Sequence, residues 1–237
     1  MVSIPLQNLS NVGLTHRIAP RATHNSTPLL YMAIASGVAL GLAASVLALK
    51  GSSTPGLVMA LRLTARWSFL LFWVAYSGRA MLELFGPALA PMGRRGREFG
   101  LAYAAAQLIH VCLVVRLFET SSSPPLSGKL FEFFVIGIVW TYLLAVLSFG
   151  HLTEFLGLKA WRVVRIVGMN YILFAFAYDF VPPAIYRGLG PYGIGRLVEY
   201  APFAAMCIAA PLLVLAASAH SRLAIGDNSA RLGAAAN

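Results

Sequence analysis

Apolar residues fall in six long blocks along this chain, separated by short stretches rich in proline, glycine, serine and charge. The blocks at 29–49, 57–85, 99–118, 130–149, 163–181 and 197–219 each reach the ~20 residues that a helix needs to cross a hydrocarbon core about 30 Å thick. The breaks between them have turn composition. Lys50-Gly51-Ser52-Ser53-Thr54-Pro55 ends the first block and Gly86-Pro87 the second, while Ser121 to Pro125 separates the third from the fourth. Pro182-Pro183 is expected to stop the fifth, with a glycine-containing loop over 184–196 before the sixth. The pattern predicts an all-α, six-helix transmembrane bundle over 29–219, preceded by a polar segment at 1–28 and followed by a short polar tail at 220–237.

Composition agrees with that class. Of 237 residues 59% are hydrophobic and only 11% charged, whereas a soluble domain carries about 25% charged residues. The formal net charge of +10 would suit nucleic acid, but the arginines sit beside the apolar blocks. They are read instead as topology signals and contacts to anionic lipid, with no nucleic-acid partner. Arg17, Arg21, Arg94, Arg95, Arg97, Lys159, Arg162, Arg165, Arg222 and Arg231 fall on one side; Lys50, Lys129, Arg187 and Arg196 fall on the other. That bias predicts cytoplasmic termini and suits a bacterial inner membrane. No cleavable signal peptide is expected, and the glycosylation-like runs at Asn8 and Asn25 fall on the cytoplasmic side. Cys112 and Cys207 both lie in apolar blocks and form neither a disulfide framework nor a cysteine metal site. No phosphate-cradling loop or dinucleotide fingerprint occurs, so no nucleotide- or flavin-binding domain and no catalytic residue is assigned.

Candidate chemistry begins with His110, about 18 Å along its helix from Glu98 and so near mid-membrane. Tyr103, Ala106, Gln107 and Val114 share its face. Neutral imidazole in hydrocarbon must find a partner. It can ligate haem iron, or it can bridge helices through a hydrogen bond to a Tyr or Ser on a neighbouring span. Arg79 and Glu83, four apart, make a ready pair within one helix. Arg62 and Arg66 share one face near the outer end of the second span, placed for haem propionates or for lipid headgroups. Asp179, near the outer end of the fifth span, is expected to face Arg187, Arg196 or Glu199.

The run Arg94-Arg95-Gly96-Arg97-Glu98-Phe99-Gly100, followed by Ala104 and then His110, resembles the ferric reductase-like transmembrane domain family. Arg62 to Trp67, Leu147-Ser148 and Trp161-Arg162 through Tyr171 extend the likeness over about 57–181, roughly half the chain. That family includes membrane cores of NADPH oxidases and the haem-bearing membrane subunit of a methionine sulfoxide reductase. The resemblance implies a b-type haem electron-transfer subunit, with donor and acceptor supplied by a redox partner protein or quinone. The departures limit what it implies. Arg165 stands where haem-holding members carry a fifth-helix histidine, and Ala177 and Tyr178 occupy the place of a second one. Ser123 and Pro124 occupy the place of a second histidine on the third helix. At most one haem b is implied, with His110 as metal ligand and Met169 or His151 as the other axial candidate. Met169 as a packing residue and His151 as an interfacial one are the plainer alternatives. Two functional readings follow: a one-haem electron-transfer subunit, or a haem-free membrane scaffold or accessory subunit of the same fold. A small transporter is a weaker third, since no pair of interrupted helices is visible.

Overall fold

The structure, a computed structural model, describes residues 26–121, 126, 128–149, 157–186 and 193–235. Among these the chain is helical, with no strand. α1 is Ser26–Lys50, α2 is Thr54–Phe85, α3 is the short Ala90–Arg94, and α4 is Gly96–Thr120. α5 is Gly128–Phe149, α6 is Leu158–Tyr186, and α7 is Gly193–Ala235. Six of these helices are long and apolar enough to cross a membrane. The protein is an all-α polytopic membrane protein.

α2 is the inner helix of the bundle and packs against α1, α4 and α7. Its composition explains that position. Alanine, serine and threonine at Ala60, Thr64, Ala65, Ser68, Ala75 and Ser77 are buried and let neighbours approach closely. Between them Phe69 and Phe72 are fully buried and reach α6 and α7. Phe69 meets Phe176 and Phe180 with ring centroids 5.1 and 5.2 Å away, and Phe72 meets Tyr103 at 5.3 Å. Two indole N–H groups tie the same helix outward: Trp67 donates to the Ala35 carbonyl and Trp73 to the Met206 carbonyl, both at 2.9 Å. In hydrocarbon, where no water competes, such donors must be satisfied by protein.

Helix ends follow local chemistry. Pro55 sits in the first turn of α2, where its missing N–H costs nothing. At the other end Gly86 takes φ 84°, a left-handed conformation that only glycine adopts without strain, and its N–H returns to the Leu82 carbonyl. The stretch after it, expected as plain loop, forms a 3₁₀ turn at Pro87–Leu89 and then α3. Two other expected ends are not ends. Pro182 and Pro183 lie inside α6, which continues to Tyr186. Prolines leave the carbonyls of Tyr178 and Asp179 without their intrahelical donors, a loss that membrane helices tolerate. α7 likewise runs through Pro202 and Pro211 and on to Ala235. The part of the expected polar tail over 220–235 belongs to that helix, in keeping with the alanine, leucine and arginine within it, which are good helix formers.

Successive helices alternate in direction, so one end of the bundle gathers the starts of α4 and α6 and the end of α5. Arg97 donates from Nε to the Ser148 carbonyl at 3.0 Å across that end. Arg95 bonds the Tyr31 hydroxyl there, with its guanidinium 5.7 Å from the ring centroid, which joins α4 to the start of α1. α5 packs chiefly against α6, where Tyr171 donates to the Phe133 carbonyl at 3.0 Å, and only thinly against α4.

Candidate functional site

The thin α4–α5 seam and the small residues of α2 and α4 leave a cavity of about 540 Å³ among α2, α4, α5 and α6. Ala75, Gly96, Gly100 and Ala145 give it room. A Cβ added to Gly96 would meet only the Ala75 carbonyl oxygen at 3.6 Å, and one added to Gly100 only the Ala75 Cβ at 3.9 Å. Packing therefore does not demand glycine at either place, and the open volume is what their small size produces. Phe72, Leu101, Leu144 and Ile172 form apolar walls. Tyr103 and Thr141 line the inner part, with their oxygens 2.9 Å apart. Thr141 donates onward to the Gly137 carbonyl at 2.9 Å, so Tyr103 donates to Thr141 and both hydroxyl protons are used within the protein.

At the arginine-rich end the cavity is lined by Arg97, Ser148, Trp161 and Arg165. Six residues of α4 separate Arg97 from Tyr103, a rise of about 9 Å. Both arginines are exposed. Met169 lies on the same wall, one turn inside Arg165. This end of the cavity thus gathers Arg97 and Gly100 from α4, Ser148 from α5, and Trp161, Arg165 and Met169 from α6, whereas Arg62 to Trp67 and His110 do not line it.

His110 is not part of that wall. Its Nδ1 lies 3.0 Å from the Thr64 hydroxyl, which also reaches the Ala60 and Leu61 carbonyls at 3.0 and 3.1 Å. The contact joins α4 to α2, so a threonine fills the role expected of a Tyr or Ser. His110 stands seven residues beyond Tyr103, about 10 Å further along α4. It also lies outside the second cavity, an apolar groove among α1, α4 and α5 bordered by Met32, Leu108 and Tyr142. Haem b needs a slot beside its ligand large enough for a porphyrin. His110 lines neither described cavity, although its neighbours Leu108 and Ile109 line the second, and Met169 lines the first. His151 lies outside the described residues.

The two outer arginines part company. Arg66 forms an ion pair with Glu199 of α7, with its guanidinium carbon 5.4 Å from the Tyr200 ring centroid and 5.5 Å from that of Phe203. It is thus neutralised and stacked inside the bundle rather than offered to a propionate or a headgroup. Arg62 is exposed. Asp179 lies close enough to Arg66 and Arg62 to feel both charges, while Glu199, one of its expected neighbours, is taken by Arg66. Arg187 lies outside the described residues, as does the side chain of Arg196. Arg79 and Glu83 pair at 2.9 Å as their spacing predicts. Sequence reasoning missed the Arg66–Glu199 pair and the cavity. Opposite charges in two apolar helices were the available signal for the first; the second arises from helix packing alone.

Comparison with protein-family models, with curated proteins and with solved structures finds no match.

Proposed function

We propose that this protein is a haem-free bundle of the ferric reductase-like type that serves as a membrane scaffold or accessory subunit. It resides in a bacterial inner membrane with both termini in the cytoplasm, and the arginine-rich ends of α4 and α6 face that side. The observation that carries the reading is the His110–Thr64 contact at 3.0 Å, with His110 lining neither described cavity. The only retained candidate for the family's histidine ligands acts there as an interhelical tie. Arg165 in place of the fifth-helix histidine and Arg66 bound to Glu199 support the same reading.

The test is a dithionite-reduced minus oxidised absorption spectrum of protein expressed with excess haem, beside His110→Ala. No b-type bands are expected in either. A b-type spectrum near one haem per chain that disappears in His110→Ala would overturn the proposal in favour of electron transfer to a redox partner protein or quinone.

A further inference from the structure

The cavity among α2, α4, α5 and α6 joins two chemistries. One end carries two guanidinium groups, the other is apolar, and no acidic residue lines it among the described residues. Arg97 spends only Nε, on the Ser148 carbonyl, which leaves the four terminal N–H donors of a guanidinium. Arg165 has no hydrogen-bond or ion-pair partner among the described residues. Guanidiniums lining one cavity end at a membrane surface match a phosphate, which such groups bind through charge-assisted hydrogen bonds.

The inner end decides what carries the phosphate. Tyr103 and Thr141 satisfy each other and the Gly137 carbonyl, so that end asks for no polar group. A small anion would touch only the arginines and leave the space between Phe72, Leu101, Leu144 and Ile172 unfilled. An acyl chain would fill it. We propose that this cavity binds one anionic phospholipid, with its phosphate held by Arg97 and Arg165 and the beginning of an acyl chain lying against the apolar walls. The site is separate from His110, so it stands whether or not that residue holds a haem.

The test is native mass spectrometry of the full chain in detergent, offered phosphatidylglycerol, phosphatidylcholine of the same acyl chains, or inorganic phosphate. Phosphatidylglycerol is expected to remain bound at one per chain, several-fold more than phosphatidylcholine, and to raise the unfolding temperature. Arg165→Gln should reduce that preference, and Arg97→Gln with Arg165→Gln should abolish it. Ala145→Phe fills the cavity without touching a charge and should also lose the bound lipid. Lipid held merely around the bundle by its basic surface would survive Ala145→Phe, and that result overturns the proposal. So does inorganic phosphate that stabilises the protein as well as the lipid, since no chain is then needed. If Ala145→Phe fails to fold, Arg165→Gln decides, and an unchanged lipid preference there sinks the idea.

Discussion

His110 and Arg66 show two ways in which a bilayer protein accommodates a polar side chain. The imidazole is tied to α2 through Thr64, and such interhelical bonds contribute only about 0.6 kcal/mol on average. His110→Ala and Thr64→Val should each cost about 1 kcal/mol or less, and their double mutant should show a coupling near 0.6 kcal/mol in a reversible unfolding assay. Coupling near zero would mean that the contact stabilises nothing. Arg66 is different, because removing Glu199 leaves a guanidinium among Tyr200 and Phe203 without its counter-ion. Glu199→Gln should therefore destabilise by about 1.5–3 kcal/mol. Arg79→Ala, which breaks an exposed pair with Glu83, should change stability by less than about 0.5 kcal/mol. Thermal unfolding of the two variants side by side checks this ranking. The need of His110 for a partner was legible in the sequence, as was the Arg79–Glu83 pair, because both follow from one helix. That Thr64 would meet the first and Glu199 would capture Arg66 was not. Helical periodicity says which residues share a face, but not which helix that face will meet.

Helix contacts set a second kind of requirement. A Cβ on Gly168 of α6 would stand 2.7 Å from Trp140 Cε3 and 2.9 Å from Leu144 Cδ1 of α5. A Cβ on Gly137 would meet Ala175 and Tyr171 at an ordinary 3.8 Å. Gly168→Ala should accordingly loosen the α5–α6 pair and cost about 1–3 kcal/mol, while Gly137→Ala should be neutral or slightly stabilising. Equal melting temperatures for the two would refute that assignment. Span positions were readable because a block of apolar residues long enough to cross a bilayer has few alternatives. The ends were less so. Pro182-Pro183 reads as a stop in water, yet inside a membrane helix the chain continues past it.

At the scale of the whole molecule, the alternating helices put Arg94, Arg95, Arg97, Arg162 and Arg165 at one end and Lys50, Arg62 and Lys129 at the other. With Cys112 and Cys207 replaced, Ser52→Cys should react with an impermeant maleimide added to intact cells, and Arg94→Cys should react only after lysis. The opposite pattern would invert the proposed topology. The cavity could not be foreseen from the chain, because its volume depends on how α5 leans away from α4.

The bond between Arg66 and Glu199 joins residues 133 positions apart, and that separation has a consequence for biogenesis. At a synthesis rate of about 5–20 residues per second, the arginine is made roughly 7–27 s before its final counter-ion. Throughout that interval the inner helix of the bundle carries the charge without Glu199. Asp179, on the fifth span, is made before Glu199 and near enough to Arg66 to feel its charge. The nascent bundle can therefore hold the arginine provisionally against the fifth span, until insertion of the sixth delivers Glu199 and completes assembly.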